Sequence, residues 1–394
     1  MGINLMRNII ILGITSFLTD ISSEMVYPLI PLYLVAQLGA TPGIVGIIEG
    51  IAESLSSLLK LYAGHISDMF GKRKPLAIFG YSFSGIGKIL IYFAGAWPMV
   101  LFGRIADRFG KGIRTAPRDA LIAESTPPQN MGRAFGLHRT MDTAGAATGV
   151  VLAYIITTRY QGSIKPIFLW SLIPAALGVF ALFFAKEATR AAKSVKRQQI
   201  QKLSLNFKTL PHQLQLFLAV VFIFALGNSS NQFLLLRAHD LGYDIPSVLL
   251  LYLLFNIIYS LFSFPAGRLS DRIGRKTLLV AGYTFYGLVY FGFAFTESRS
   301  DLWILFALYG IYYAMTEGVE KALIADLCPS DKKATFMGLH ATLVGIGLLP
   351  ASLLTGWLWT FFGPKAAFIT GGCLGLTAAL AMGIVLGRQK GSCA

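Results

Sequence analysis

Charged residues and cysteines are both scarce in this chain of 394 residues. Charged side chains make up 13% of the sequence and hydrophobic ones 55%, whereas about 25% of the residues of a soluble domain are charged. The three cysteines, Cys328, Cys373 and Cys393, follow no spacing typical of a metal centre or a disulfide. These shortages exclude an ordinary soluble domain, and we expect no metal site and no cofactor.

Two further absences concern energy and partners. The sequence has no Gly-x4-Gly-Lys-[Ser/Thr] loop, so we expect no ATP hydrolysis and no enzyme activity. The net charge of +15 suggests nucleic-acid binding, but no soluble domain could carry that surface, and we expect no nucleic-acid partner. The first apolar segment begins near Arg7 and lacks a small-residue cleavage site, so we interpret it as a retained membrane span.

Apolar runs of about 20 residues, long enough to cross a bilayer, recur from one end of the chain to the other. With Gly, Pro and charge clusters as boundaries, they predict an all-α membrane protein with about twelve transmembrane helices. The longest polar stretch predicts an N-terminal bundle over 1–186, a basic linker over 187–212 and a C-terminal bundle over 213–394. The predicted helices span 8–36, 43–66, 75–95, 97–122, 132–157, 165–185, 213–238, 246–267, 276–296, 301–324, 334–360 and 364–387.

Lys and Arg are distributed unevenly between the predicted loops. With the N-terminus inside, about 20 of the 34 fall in cytoplasmic segments and about 4 outside, and cytoplasmic loops retain positive charge. This predicts a multi-pass protein of the cell (inner) membrane with both termini in the cytoplasm. The basic linker could also bind anionic lipid headgroups, although the retention of positive charge is sufficient to explain it.

Three sequence patterns occur twice, once in each half, at an offset of 202 or 203 residues. An offset close to half the chain is too long for a solenoid repeat and indicates two homologous halves that face one another. The paired segments are 64–73 with 267–276, 120–124 with 322–326, and 136–138 with 338–340.

The first of these patterns reads Gly-x-x-Ser-Asp-x-x-Gly-[Lys/Arg]-[Arg/Lys] and joins the second and third helices of each half. We expect its first glycine to let helices approach closely, its aspartate to cap a helix or pair with a cation, and its second glycine to permit a tight turn. The predicted role is a latch between helices. The latch candidates are Gly64, Asp68, Gly71, Arg73, Gly267, Asp271, Arg272, Gly274 and Arg275.

This pattern resembles the loop signature of the major facilitator superfamily (MFS), Gly-x-x-x-Asp-Arg-x-Gly-Arg-[Arg/Lys]. The copy at 267–276 matches it in full, whereas the first copy has Met69 and Lys72 where Arg is usual. The twelve predicted helices, their division into six and six and the basic linker extend the resemblance over the whole chain. It implies a secondary transporter of two pseudo-symmetric bundles, in which the latch controls alternating access.

The fourth predicted helix carries charged residues at steps of three and four, within an arc of about 140°. Charges inside a membrane span cost several kcal/mol unless they are paired or face water, so this face is predicted to line the interior. Its cations favour a substrate with carboxylate or phosphate groups, although they could instead pair with acids on neighbouring helices. The charged residues are Arg104, Asp107, Arg108, Lys111, Arg114 and Arg118.

This helix also resembles the fourth-helix pattern of the superfamily, in which an Arg is followed by Gly and Pro. Arg108, Gly112 and Pro117 match that pattern, which implies a role for Arg108 in proton coupling. Lys111 and Arg114 replace the usual Gln and Gly. The predicted cavity wall is therefore more basic than in the common pattern.

Pairs of carboxylates one helical turn apart are the other candidates for proton coupling. Two close carboxylates in a low dielectric favour reversible binding of a proton by one of them. The first helix carries one such pair, which is our first choice, and the second helix carries another. The candidates are Asp20 with Glu24, Glu49 with Glu53, and Asp142 beside Arg139 on the fifth helix.

The second half has a different character from the first. Its seventh helix aligns amides with the acids of the first helix, and its tenth helix brings two carboxylates opposite the basic face. We infer that coupling lies mostly in the first half and that both halves select the substrate. The substrate-cavity candidates are Arg104, Lys111, Arg114, Arg118, Arg139, Asn228, Asn231, Gln232, Glu317 and Glu320.

The predicted function is proton-coupled export of drugs or amphipathic metabolites by a monomer. Gly136, Gly145 and Gly149 keep the spacing of the fifth-helix pattern of the superfamily's proton antiporters, although Val150 replaces its Pro. The alternative is a carrier of an organic anion, a polycarboxylate chelator or phosphate ester, bound by the basic face. A receptor or enzyme on this scaffold would need a sensing domain or metal cluster, and the sequence has neither.

Overall fold

The computed structural model describes residues 3–70, 73–126, 130–187, 212–327 and 333–385. Within these ranges the chain forms helices joined by short turns, and no strand occurs. Some predicted features lie outside the described residues: positions 188–211 of the predicted linker, Gly71, Cys328 and Cys393. The helices are α1 Ile3–Val26, α2 Pro42–Phe70, α3 Arg73–Tyr92, α4 Trp97–Glu124, α5 Met131–Arg159, α6 Lys165–Phe183, α7 His212–Gly227, α8 Gln232–Asp240, α9 Ile245–Ile273, α10 Arg275–Phe295, α11 Asp301–Leu327 and α12 Lys333–Val385.

The outer surface of these helices is apolar. Large side chains such as Phe264 and Ile384 are each 78% exposed, which is incompatible with water and suited to lipid. Ten helical segments of the described chain are long and apolar enough to cross a membrane. The all-α membrane fold predicted from sequence is therefore confirmed.

The count of twelve spans stays a prediction. Helix α4 is not among the ten apolar segments, because its charged residues lower its hydropathy. The segment Phe336–Ile384 counts as one, although its 49 residues exceed a single crossing. It bends at Gly363, whose φ of 82° lies outside the helical region, directly before Pro364, and Pro permits a new helix to begin there.

The helices pack in two groups that follow the chain order. In the first group α1 packs on α5 and α6, α3 on α4 and α6, and α2 on α4; in the second, α12 packs on α7 and α10, and α11 on α9 and α10. The groups meet along two seams, α2 with α12 and α5 with α9. The predicted bundle boundaries remain a prediction, since the linker is not described.

Two predicted helices depart from a continuous α-helix. The first, predicted over 8–36, is an α-helix to Val26 and continues to Gln37 as short 3-10, α-helical and π-helical segments. Pro28 and Pro31 remove backbone donors there. The seventh breaks between Gly227 and Gln232, where Asn and Ser side chains compete for backbone hydrogen bonds. The spans predicted at these two places are nevertheless present, over Arg7–Gln37 and His212–Asp240, and only the second contains a non-helical break.

The latch segments were predicted as loops, and this was wrong. Residues 64–70 and 267–273 form the last turns of α2 and α9, because their apolar residues continue the helical pattern. Asp271 therefore caps no helix start and instead lies 3.6 Å from Arg275. No atom lies within 4 Å of the position a Cβ on Gly267 would take, so close helix approach there is also wrong.

Gly274 fulfils its predicted role as a turn residue. Its φ of 92° is a conformation that favours glycine, and it separates α9 from α10. In the first copy, Gly71 lies outside the described residues, and only the backbone is described at Gly64 and Asp68.

The α2–α12 seam depends on a glycine. The carbonyl oxygen of Ser352 occupies the space that a Cβ at Gly46 would need. We expect Gly46→Val to destabilise the protein by about 1–3 kcal/mol through overpacking, measured as a lower thermal unfolding temperature in detergent. Gly85→Ala on α3, where a Cβ would have no neighbouring atom within 4 Å, is the control and should raise stability by about 0.5–1 kcal/mol, because alanine is the better helix former. Equal unfolding temperatures for the two variants would contradict this account of the seam.

Candidate functional site

A buried ion pair joins α2 to α4. Arg104 donates from Nε to Glu49 at 2.7 Å and from Nη2 at 2.8 Å, a bidentate arrangement. The side chains are 2% and 0% exposed. Such a pair offsets its desolvation only when its geometry is good, and two parallel hydrogen bonds supply that geometry.

A second pair continues the network one turn along α4. Arg108 lies 2.8 Å from Glu53, and Asp107 lies between the two arginines, 3.4 Å from Arg104 and 4.0 Å from Arg108. Both guanidinium groups lie 5.5 Å from the ring centre of Tyr27. Glu49 and Glu53, candidates for proton binding, are thus engaged in ion pairs.

Three other cations form no ion pair with a carboxylate of the described chain. Arg114 donates to Ser84 at 2.6 Å and lies 4.4 Å above the ring of Tyr81. Lys88 donates to Ser22 at 2.5 Å. The ammonium group of Lys111 forms neither a hydrogen bond nor an ion pair with the described residues. Sequence reasoning missed Lys88, although a single lysine within the apolar stretch 75–95 was a signal. Arg118 pairs locally with Asp119 at 2.9 Å.

The two acids of α1 face these cations. Glu24 accepts a hydrogen bond of 2.9 Å from Tyr252 on α9, across the two helix groups. Asp20 has neither a hydrogen bond nor an ion pair with the described residues. Both line a cavity with Lys88, Lys111 and Arg108. The structure thus brings together the acids of α1 and part of the cationic face of α4.

This cavity is nearly filled by its own side chains. Its volume of about 20 Å³ is enough for a water molecule but not for a substrate. A bound substrate would therefore require these side chains to move apart.

Asp142 lies on α5, which packs on α1, the helix that carries these acids. Its carboxylate is 3.8 Å from His138 on the same helix, and its Oδ1 is buried without a hydrogen-bond partner in the described chain. Arg139, one turn earlier along α5, is instead exposed towards the second half. The proton candidate and the substrate candidate of α5 thus face different surroundings.

The break between α7 and α8 lies in the second half and contacts both halves. Asn231 Oδ1 accepts from Tyr309 at 2.7 Å, and Gln232 Nε2 donates to the carbonyl oxygen of Tyr27 at 3.3 Å. Asn228 Oδ1 and Gln232 Oε1 are buried without a hydrogen-bond partner in the described chain. Buried unpaired acceptors are costly, so this segment is suited to receive donors from a ligand.

Aromatic rings dominate the second half where charges dominate the first. At the 202-residue offset of the repeat, Arg104 corresponds to Phe306 and Lys111 to Tyr313. The rings of Phe255 and Tyr313 lie 5.6 Å apart in an edge-to-face arrangement, and those of Tyr259 and Tyr313 5.1 Å apart. Such a wall gives apolar area with hydroxyl groups at its edges. Comparing the halves residue by residue could have revealed it.

The two carboxylates of α11 do not pair with the cations of α4 in the described structure. Glu317 accepts from Tyr259 and pairs with Lys321 at 3.0 Å, beside Arg139 in an open pocket between α5, α9 and α11. Glu320 is bonded to Tyr283 and His340 instead. The position of the two acids opposite the basic face stays a prediction, and in the described chain both are engaged by partners within the second half.

The latch arginines connect two of the duplicated sequence patterns. Arg73 at the start of α3 lies 2.9 Å from Glu124 at the end of α4. In the second half Arg275, the first residue of α10, pairs with Asp326, which is equivalent to Glu124. Arg272 is exposed. Each half thus ties the start of its third helix to the end of its fourth.

The small residues of α5 have separate roles. A Cβ at Gly145 or Gly149 would collide with the backbone of α1, at Phe17 and Ile21 respectively, whereas Gly136 faces open space. Close helix packing explains the first two.

In the described part of the chain, no group of three or more His, Cys, Asp or Glu residues could hold a metal ion.

Comparisons with known proteins agree over the length of the chain. The family model described as Major Facilitator Superfamily matches residues 12–236 and 216–391. The uncharacterized MFS-type transporter MJ1317 of Methanocaldococcus jannaschii is 39% identical over 384 residues, covering 95% of this chain and 94% of that protein. The multidrug resistance protein MdtG of Escherichia fergusonii is 23% identical, covering 95% and 93%.

Solved structures share the fold at low identity. The crystal structure of the nucleoside transporter NupG superposes with a TM-score of 0.82 at 13% identity, covering 98% of this chain and all of that one (100%). A bacterial homologue of the human lysosomal transporter Spinster, in an inward-facing and occupied conformation, superposes with a TM-score of 0.77 at 15% identity, covering 99% and 98%. At these identities the likeness concerns the fold alone.

The buried pair predicts a large stability loss. We expect Glu49→Leu to destabilise the protein by about 3 kcal/mol or more, because Arg104 keeps its charge and loses its bidentate partner. The matched control is Asp119→Asn, whose carboxylate is 43% exposed and whose loss should cost about 1 kcal/mol at most. Thermal unfolding in detergent compares the two. A smaller shift for Glu49→Leu than for Asp119→Asn would contradict the assignment.

Proposed function

Since the chain belongs to the Major Facilitator Superfamily, we propose that it is a secondary transporter that exports amphipathic molecules in exchange for protons. The two helix groups act as bundles that rock about the cavity between them. The protein lies in the cell membrane with both termini in the cytoplasm, where the retained positive charge favours them. It works as a monomer.

The observation that carries the proposal is the hydrogen bond from Tyr252 to Glu24. It crosses between the bundles at an acid that lies one turn from Asp20, which has no partner in the described chain. A proton on Glu24 removes the charge that Tyr252 binds and weakens this contact. Protonation therefore favours the conformation in which the bundles separate here, and this shifts the populations of the two states.

The aromatic wall supports an amphipathic substrate. Rings at Tyr252, Phe255 and Tyr313 offer apolar surface, while Asn228 and Gln232 offer unpaired acceptor oxygens. A molecule with an apolar body and a donor group matches both. The multidrug resistance proteins MdtG and MdtH are relatives at 23% and 22% identity, which agrees with this class of substrate.

The ion pairs give the proposal its moving and fixed parts. Arg73–Glu124 and Arg275–Asp326 brace the third and fourth helices within each bundle, so the bundle moves as a unit. The seams α2–α12 and α5–α9 are the surfaces along which the bundles slide. Arg139 and Glu317 face one another across the second seam and act as a gate.

A specific observation favours the second candidate, a carrier of an organic anion. Arg114, Lys88 and Lys111 have no carboxylate partner in the described chain, so a carboxylate or phosphate ester could bind there. The pairing of Arg104, Arg108 and Arg118 weakens this candidate. Three of the five cations on α4 thus already have a carboxylate partner.

Proton coupling is tested in proteoliposomes with an imposed pH gradient. We expect Asp20→Asn and Glu24→Gln each to lower proton-driven transport of a fluorescent lipophilic cation such as ethidium by about tenfold or more, because the exchanged proton has lost its site. Exchange of labelled for unlabelled substrate without a gradient should persist. Asp119→Asn is the control and should transport normally. Full proton-driven flux in both acid variants would remove them from the mechanism.

A thermal-shift comparison separates the two substrate classes. A ligand that binds the folded state raises the unfolding temperature. We expect lipophilic cations to stabilise the wild type and a tricarboxylate such as citrate to have no effect. Stabilisation by citrate that is lost in Lys111→Gln and Arg114→Gln would instead support the anion carrier.

A further inference from the structure

The duplicated segments 136–138 and 338–340 end in histidines whose environments differ. At the 202-residue offset the third helices match Tyr81 with Tyr283, and the fifth helices match His138 with His340. Between them, the fourth helices place Arg118 in the first half and Glu320 in the second. Each bundle therefore holds a Tyr, a His and one charged residue, and the sign of that charge is reversed.

In the first bundle the cluster is organised around a serine. Ser16 lies 2.8 Å from His138 Nε2 and 3.4 Å from the hydroxyl of Tyr81, and accepts from Arg118 at 3.2 Å. Arg118 is paired with Asp119. His138 thus shares Ser16 with a cation that already has a partner, and its Nδ1 lies 3.8 Å from the carboxylate of Asp142.

In the second bundle the carboxylate is the centre. Tyr283 donates its hydroxyl to Glu320 Oε1 at 2.8 Å, and His340 Nε2 lies 3.1 Å from Oε2. Glu320 is 8% exposed and His340 is 6% exposed. No Lys or Arg of the described chain forms an ion pair with Glu320.

The elements around this cluster bring little other charge. Helix α7 contributes Phe224, which stacks on Tyr283 at 3.9 Å. Helix α11 adds the hydroxyl of Tyr312, which is buried, and the exposed Lys321, which pairs with Glu317. Helix α2, packed on α12, carries Lys60.

Counting protons on the pair gives its preferred state. With one proton, Glu320 and His340 are neutral in total, as carboxylic acid with imidazole or as carboxylate with imidazolium. With none, a buried carboxylate lacks a counter-charge; with two, a buried imidazolium lacks one. An unpaired buried charge costs several kcal/mol, so the one-proton state is favoured.

We propose that Glu320 and His340 together bind a single proton, at a site in the C-terminal bundle separate from Asp20 and Glu24. The proton moves along the hydrogen bond between Glu320 Oε2 and His340 Nε2 with no change in total charge, and Tyr283 donates to Oε1 in both forms. Water that reaches the cluster when the bundles move would solvate a second charge and release the constraint.

The test is infrared spectroscopy of the full chain in lipid bilayers at neutral pH. If the pair keeps one proton, His340→Gln leaves that proton on Glu320, and the spectrum gains the carbonyl stretch of one protonated carboxyl group. This band should be absent from the double variant His340→Gln with Glu320→Gln. Identical carboxyl bands in the single and double variants would overturn the proposal, because Glu320 would then be a bare carboxylate.

Controls separate this result from misfolding and from the transport mechanism. His239→Gln should add no protonated carboxyl band, since His239 Nδ1 lies 3.1 Å from the carbonyl oxygen of Tyr243 and the neighbouring Asp240 is paired with Arg237. His340→Asn serves as a second variant if His340→Gln does not fold. The measurement uses no substrate and no gradient, so it can fail while the proposed export is correct, or hold if export is disproved.

Discussion

Charge buried inside an apolar bundle is the constraint on which the rest of this structure depends. A membrane span tolerates a charge only when a partner or water compensates it. Helix α4 carries four arginines and a lysine. Acids of α2 and Asp107 form ion pairs with Arg104 and Arg108. Ion pairs between helices therefore help to hold the first bundle together, whereas the side chains of Asp20 and Lys111 form no ion pair or hydrogen bond within the described residues.

The second bundle solves the same packing problem with fewer buried charges. Its interior is built from tyrosine and phenylalanine rings, with hydroxyl groups directed to carbonyl and amide oxygens. Ring packing accepts ligands of different shapes more readily than a fixed set of ion pairs does. The two bundles thus differ in the chemistry of their interiors: the first contains buried ion pairs and the second contains packed aromatic rings.

The repeat and the apolar runs were sufficient to predict the fold and its family, because both follow from local sequence. The charged face of α4 was predictable from helical spacing. Which acid pairs with which arginine was not, since Glu49 and Arg104 meet only through helix packing. The ends of α2 and α9 were misjudged because Gly and Ser-Asp were read as loop residues although the helix continues. His340 was visible in the repeat, but its contact with Glu320 depends on how α11 meets α12.

The contrast between the Glu49–Arg104 pair and its equivalents bears on how the halves diverged. At the offsets of the repeat, 203 for the second helix and 202 for the fourth, those positions hold Tyr252 and Phe306 in the other half. Replacing one member of a buried pair alone costs about 3–5 kcal/mol, whereas replacing both is nearly neutral. After duplication, a chain at the usual margin of stability could not have passed easily through the single replacement. If the ancestral half held the ion pair, the two positions changed almost together, or on a background that was first stabilised elsewhere.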